Sequence, residues 1–149
     1  MEIERKFLVH TPPSQYEHFP FHQIEQAYLC TEPVVRIRKE DDQYYLTYKS
    51  KGLLAREEAN LPLNQQAYQH LLSKADGIIL TKRRYLIPLT GTSYTAELDL
   101  FSGHYQGLML VEVEFETEEQ ANAFVPPEWF GEEVTFSGEY QNSRLASIS

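Results

Sequence analysis

The chain has 149 residues, of which 42% are hydrophobic and 23% charged, and its formal net charge at pH 7 is −9. This length suits a single domain over residues 1–149 with a sizeable buried core. The acidic balance argues against nonspecific binding to nucleic acid or to an anionic membrane surface, but it is compatible with a local pocket of the opposite charge.

The first segment, MEIERKFLV, alternates between charged and apolar residues and therefore predicts a β-strand over residues 1–10. Successive side chains of a strand point to opposite faces. Glu2, Glu4 and Lys6 share one face, and the mostly apolar opposite face carries a single charge, Arg5. A charged row of this kind is also typical of the solvated side of an ordinary half-buried sheet, so one strand alone decides nothing.

Further strands are predicted from alternating or β-rich segments along the chain. They cover residues 22–31, 34–40, 43–50, 53–61, 78–89, 92–101 and 108–116. Short turn segments such as TEP, EDD, SKG and TGT separate several of them. About eight strands joined by short turns favour an antiparallel sandwich or a closed barrel.

Short helices are predicted at three places. In residues 61–77 apolar residues recur at helical spacing, with Asn64 as the N-cap and Gly77 as the stop. Thr117 is expected to cap a helix over 117–124, with Gln120 completing a capping box. A last short helix is expected over 139–146.

Charged side chains at spacing i, i+2 recur on nearly every predicted strand. The rows are Arg36 and Arg38; Tyr45, Thr47 and Lys49; Arg56, Glu58 and Asn60; Lys82 and Arg84; Glu97 and Asp99; and Glu112 and Glu114. Most strands carry one sign, and like charges side by side on a sheet repel each other. This segregation favours an interior where acidic and basic rows meet. The sequence therefore predicts a mainly β, α+β protein: a closed eight-stranded antiparallel barrel with a charged interior and helices over its apolar outer face.

The two signs of charge suggest two kinds of ligand. Arginine forks and lysine point charges suit a polyanion such as a phosphate chain. Carboxylates cannot contact that anion directly, but Mg²⁺ is commonly held by a few carboxylates together with substrate phosphate oxygens. Together they indicate phosphoryl chemistry in a water-filled channel.

The segment EIERKF resembles the ExExK signature of the CYTH superfamily, the triphosphate tunnel metalloenzymes. The resemblance continues in order through RIR, LTYKSKG, KRRY, ELDLF and VEVEF, and PPEWFGEEVT is similar to small bacterial members related to inorganic tripolyphosphatases. It implies an eight-stranded antiparallel tunnel that hydrolyses triphosphate compounds with Mg²⁺ or Mn²⁺.

The resemblance also implies roles for individual residues. The implied metal ligands are Glu2, Glu4, Asp99, Glu112 and Glu114. The implied phosphate-binding residues are Lys6, Arg36, Arg38, Lys49, Lys82 and Arg84. Tyr28 is expected to act in catalysis together with Lys82, and Glu97 to support the site from behind. The participation of Arg56, Glu58, Glu97 and Arg144 stays open. Asn60 stands where many relatives carry an acid, which weakens the role of the strand with Arg56 and Glu58. Arg144 is the only candidate for the basic residue that relatives often place on the C-terminal helix.

Hydrolysis of inorganic triphosphate to pyrophosphate and phosphate is the expected activity. On the same scaffold, the alternatives are a class IV-like adenylate cyclase and a thiamine or nucleoside triphosphatase. A noncatalytic polyphosphate-binding module is the alternative of another class. The expected partner is triphosphate or a small molecule that bears it, and a homodimer remains open.

The single cysteine, Cys30, excludes an internal disulfide or a thiolate metal cluster and is expected to be a small buried hydrophobe. No segment approaches the ~18 apolar residues of a membrane span. The opening residues alternate in charge instead of forming the apolar block of a signal peptide, so a cytoplasmic location is expected.

Overall fold

The computed structural model describes residues 1–147; residues 148 and 149, the end of the expected domain, lie outside the described residues. The strands are β1 (Glu2–Leu8), β2 (Phe21–Thr31), β3 (Val34–Glu40), β4 (Gln43–Lys49), β5 (Ala55–Arg56), β6 (Glu58–Leu63), β7 (Asp76–Pro88), β8 (Thr95–Ser102) and β9 (Met109–Phe115). The α-helices are α1 (Gln65–Leu72), α2 (Glu118–Ala123) and α3 (Asn142–Ser147).

The strands form one antiparallel sheet in the order β5-β1-β9-β8-β7-β2-β3-β4-β6. Its two edge strands, β5 and β6, are separated in the chain only by Glu57, so the sheet curls into a nearly closed barrel. This confirms the barrel. The strand expected at 53–61 is divided, because β5 pairs with β1 whereas β6 pairs with β4, and Glu57 bonds to Ser50 at the crossing.

The apolar residues lie mainly on the outside of the barrel, under the covering segments. One cluster on β1, β7, β8 and β9 is covered by α2 and by the chain that follows it, and includes Phe7, Val111 and Phe124. A second, on β2, β3 and β4, is covered by α1 through the fully buried Tyr68. A third cluster, including Leu80, packs against α3. The charged rows therefore face inward, as the sequence indicates.

The predicted N-caps are confirmed, but one helix stop is not, and the Gln120 side chain accepts from the Glu116 amide instead of completing the capping box at Thr117. The Asn64 side chain accepts a hydrogen bond from the Ala67 amide (2.7 Å), and Thr117 accepts one from the Gln120 amide (3.1 Å). Helix α1 ends at Leu72, and Gly77 lies inside β7. Gly77 has a φ of +75°, and a Cβ there would lie 2.2 Å from the Ala146 carbonyl oxygen, so glycine permits α3 to pack against β7.

The prediction that Cys30 is buried is wrong: Cys30 is exposed. The register of β2 against β3 shifts between Tyr28, which pairs with Arg36, and Cys30, which pairs with Val35. This β-bulge changes which face the following residues occupy, so Tyr28 points into the barrel while Cys30 does not.

Arg5, the charged residue on the outer face of β1, is paired with Glu133 from the chain after α2. Its Nε and Nη2 donate to the Glu133 carboxylate at 2.8 and 2.6 Å, and its Nη1 donates to the carbonyls of Ala121 and Phe124. This arrangement fixes the covering segment to the barrel wall.

In the part of the chain that the structure describes, no helix has the length and apolar character needed to span a bilayer.

Candidate active site

The inward-facing charged side chains surround a cavity of about 310 Å³ inside the barrel. The strands contribute residues from every side, and the segment after Val134 covers part of the wall. The expected site residues that line the cavity are Glu2, Glu4, Lys6, Tyr28, Arg36, Arg38, Lys49, Arg84, Glu112 and Glu114. Arg56, Glu58 and Glu97 also line it. Arg144 lies exposed on α3, and its neighbour Ser143 lines the cavity.

The acidic part of the cavity lies where β1, β9 and β8 run side by side. In the strand register Glu4 faces Glu114, and Glu112 faces Glu97. Burial, and then the nearby Glu112 and Glu2 carboxylates, raise the pKa of Glu4 to about 8. Glu112 hydrogen-bonds with Glu4, and although burial opposes it, Lys6 and two further cations hold the pKa of Glu112 well below its usual value. Glu4 and Glu112 therefore form a carboxyl–carboxylate pair that shares a proton at neutral pH.

Glu2 differs from its acidic neighbours because cations already surround it. Lys49 Nζ lies 3.0 and 2.9 Å from its two oxygens, and Arg56 Nη2 lies 3.6 Å away. Lys49 also contacts Glu58 at 3.4 Å. These ion pairs join β1 to β4, β5 and β6, so they help to close the barrel at its seam.

The cationic part of the cavity contains Arg36 and Arg38 on β3. Arg36 donates to the Thr47 hydroxyl at 3.1 Å, and within residues 1–147 its buried Nε has no partner. Burial and the neighbouring guanidinium groups of Arg36 and Arg84 lower the pKa of Arg38 to about 9. Guanidinium groups crowded in this way, one with an unused donor, are an environment that an anion would relieve.

Asp99 and Lys82 lie behind the cavity wall. Their side chains are 1% and 0% exposed, and Lys82 Nζ is 2.7 Å from an Asp99 oxygen. Arg84 holds the same carboxylate through Nε and Nη2 at 2.7 and 2.9 Å. Burial, which the Asp99 carboxylate partly offsets, lowers the pKa of Lys82 to about 7. The inward face was predicted correctly for both residues, but the structure does not bring them to the cavity surface, and both Asp99 oxygens are already bonded.

The hydrogen bonds of the described residues do not join Tyr28 to Lys82, which were expected to act together. The Tyr28 hydroxyl accepts a hydrogen bond from Gln26 Nε2 at 3.2 Å, and Lys82 Nζ is bonded to Asp99. Gln26 is fully buried and also binds Arg38. Charge patterning overlooks this neutral residue, although its inward position two residues before Tyr28 is visible in the sequence.

The donor set fits a hard divalent cation. Among residues 1–147, no three acidic, histidine or cysteine side chains already converge as a cage. Mg²⁺ does not require one, because it commonly uses one or two carboxylates with the remaining positions filled by water and substrate phosphate oxygens. The Glu4–Glu112 pair, with Glu114 opposite Glu4, supplies such carboxylates, and a cation could replace the proton that the pair shares.

Residues 1–146 match the CYTH domain family, and the chain belongs to that family. An inorganic triphosphatase of Nitrosomonas europaea is 42% identical over 148 residues, which cover 97% of this chain and 96% of that protein. An inorganic triphosphatase of Acetivibrio thermocellus is 32% identical, with 97% and 92% covered. The crystal structure of the inorganic triphosphatase NE1496 superposes with a TM-score of 0.75 at 38% identity, over 100% of this chain and 96% of that one. The family resemblance noted in the sequence is thereby confirmed.

Proposed function

We propose that this protein hydrolyses inorganic triphosphate to pyrophosphate and phosphate with the help of Mg²⁺ or Mn²⁺. The observation that carries the proposal is the separation of charge within one cavity: crowded guanidinium groups on β3, one of which has an unused donor, and a proton-sharing carboxylate pair on β1 and β9. The names of the two similar curated proteins support the choice of substrate.

The cavity volume favours a compact ligand. Small-molecule sites commonly measure ~300–1,000 Å³, and the 310 Å³ found here lies at the lower end. Its lining is dominated by charged side chains, which suits a chain of phosphates better than a base and sugar. Cyclase activity and hydrolysis of thiamine or nucleoside triphosphates are therefore secondary candidates.

We propose that Glu4, Glu112 and Glu114 hold the divalent cation and that Glu2 assists them. A cation bound there supplies charge neutralisation on phosphate oxygens and acidifies a water molecule. Asp99, expected as a metal ligand, is better assigned as the carboxylate that keeps Lys82 and Arg84 together, because its oxygens accept their hydrogen bonds.

The basic residues bind and orient the phosphate chain in this proposal. Arg36 and Arg38 offer donors on one wall of the cavity. Three other expected phosphate-binding residues also line the cavity, and each is already paired with a carboxylate: Lys6, Lys49 and Arg84. Tyr28 lies on the cavity wall and can donate a hydrogen bond to a phosphate oxygen. In its protonated form Lys82 acts from behind the wall, and its attraction to the phosphate grows as negative charge develops there.

The test is product identification. The purified protein is incubated with inorganic triphosphate, ATP or thiamine triphosphate, each with Mg²⁺ or Mn²⁺, and the products are separated by ion chromatography. Equal amounts of pyrophosphate and phosphate from inorganic triphosphate support the proposal. Cyclic AMP from ATP would instead indicate a cyclase, and tight triphosphate binding without any product would indicate a binding module.

Matched variants connect the activity to the cavity. Glu4→Gln removes a proposed metal ligand, whereas Glu119→Gln changes an exposed carboxylate on α2. Loss of turnover in the first variant alone is expected; equal activity in both would place the reaction elsewhere.

A single domain over residues 1–149, a cytoplasmic location and a homodimer stay predictions.

A further inference from the structure

Gln26 is a fully buried polar residue that the reaction proposed above leaves without a role. It lies on β2 opposite Arg38 of β3, and its side chain points into the barrel behind the cavity wall. Its amide contacts two residues that line the cavity: Arg38, on the neighbouring strand, and Tyr28, two residues further along β2.

The orientation of the Gln26 amide is fixed by chemistry. Arg38 Nε and Nη2 donate to Gln26 Oε1 at 3.0 and 2.7 Å. A guanidinium group has only donors, so the atom that faces it must be the amide oxygen. The amide nitrogen then faces the Tyr28 hydroxyl at 3.2 Å and must donate to it, since an amide NH₂ group cannot accept.

Two consequences follow for the cavity wall. The Tyr28 hydroxyl oxygen accepts a hydrogen bond from Gln26, so the hydroxyl proton has to point away from Gln26. Tyr28 also lines the cavity. The Arg38 guanidinium is held by Gln26 along its Nε–Nη2 edge, and its remaining nitrogen, Nη1, lies 3.5 Å from the carboxylate of Glu40, which also lines the cavity. One amide therefore sets the direction of two donors.

We propose that Gln26 is a positioning residue that aims the Tyr28 hydroxyl and the Arg38 guanidinium at the same phosphate group of the bound triphosphate. This inference rests on the proposed function. Tyr28 acts in it as a hydrogen-bond donor to a phosphate oxygen and keeps its proton. A buried polar network in which every member is satisfied is rigid, so it can hold both side chains in one orientation.

The proposal predicts a difference between two substitutions at this position. In Gln26→Glu the carboxylate still accepts from Arg38, but it now also accepts from Tyr28, which turns the hydroxyl proton away from the cavity. In Gln26→Leu both contacts are lost. Gln66→Glu, an exposed change on α1, serves as the control.

The kinetic test is a double-mutant cycle on triphosphate hydrolysis. Removing one transition-state donor commonly costs ~10²–10³-fold in kcat, and we expect Gln26→Glu and Tyr28→Phe each to fall in or just below this range. Their combination should be no slower than Tyr28→Phe alone, because both changes remove the same donor. Gln26→Leu should also raise KM by about tenfold or more through the loosened Arg38. A merely structural role would lower the urea midpoint without this non-additivity.

A measurement on the free protein keeps this inference separate from the proposed function. The ¹⁵N–¹H signal of Arg38 Nε should be protected from solvent exchange in the wild type and in Gln26→Glu, and should lose protection in Gln26→Leu. Protection together with an inactive wild type would refute the proposed function but leave the orientation intact. An active wild type whose kcat is unchanged by Gln26→Glu, or whose two changes are additive, would overturn the role of Gln26.

Discussion

Replacing Asp99 by Asn should strongly destabilise the protein whether or not a metal is present. Asp99 accepts charge-assisted hydrogen bonds of 2.7, 2.7 and 2.9 Å from Lys82 and Arg84, and its side chain is 1% exposed. Breaking a buried ion pair by removing one partner costs about 3–5 kcal/mol. We expect the free energy of unfolding to fall by an amount in the lower half of this range. The Asn side chain keeps one acceptor oxygen, and Lys82 can lose its proton.

The cost should also depend on pH. Burial lowers the pKa of Lys82 to about 7 even beside Asp99, and without that carboxylate it falls further. A lysine whose folded pKa lies below its unfolded value destabilises the fold as the pH drops from the unfolded to the folded pKa. In the wild type this decline stops near pH 7, whereas in the variant it continues, so the difference between them should grow as the pH falls from 7 toward 5.

Urea unfolding followed by the fluorescence of Trp129, without metal, measures both effects. Glu32→Gln is the matched control, since the Lys51–Glu32 pair has side chains 78% and 72% exposed and should contribute less than about 1 kcal/mol. A loss below 1 kcal/mol in Asp99→Asn would refute the view that this carboxylate holds the buried cations together, and would reopen its role as a metal ligand.

Four other outcomes are expected. Glu4→Gln should lower kcat about 100-fold or more with an unchanged urea midpoint, because it removes charge that a phosphate-bound cation needs. Mg²⁺ binding at pH 7 should release protons, seen by calorimetry in buffers of different ionisation enthalpy, because burial raises the pKa of Glu4 to about 8 and the cation displaces its proton; the Glu4→Gln variant should release fewer. Arg38→Met should weaken triphosphate binding about 10- to 100-fold and change the melting temperature little, because the relief of a crowded buried cation is offset by the loss of both hydrogen bonds to the buried Gln26 oxygen. Glu133→Gln should cost about 1–2 kcal/mol at pH 7, and since Arg5 lowers the pKa of Glu133, this difference should disappear as the pH falls through that folded pKa, below 4.5.

The side-chain alternation of single strands predicted most of the barrel. Glu4 and Lys6 on β1, and Glu112 on β9, face inward as expected, because each strand is regular and one face must be buried. Alternation fails where the backbone is irregular. The bulge before Cys30 and the interruption at Glu57 depend on how neighbouring strands pair, which a single strand does not encode.

Side-chain alternation predicts which face of a strand a residue occupies, but it does not predict how far along the barrel that residue lies. Lys82 and Asp99 point inward like Arg84, but Lys82 lies over the ring of Phe101, close to the apolar end that packs against α3. Their depth follows from the stagger between strands, a property of the closed sheet. Gln26 has a neutral side chain, so the charge pattern of the sequence gives no signal for its role.

The most direct test of whether the acidic and basic parts of the cavity bind metal and phosphate is a crystal of the wild-type protein soaked with Mn²⁺ and a non-hydrolysable triphosphate analogue. Anomalous scattering locates the manganese, and the electron density locates the phosphate chain. We predict manganese at Glu4 and Glu112, with phosphate oxygens on Arg36 and Arg38. Manganese or analogue bound only outside the barrel would contradict the account.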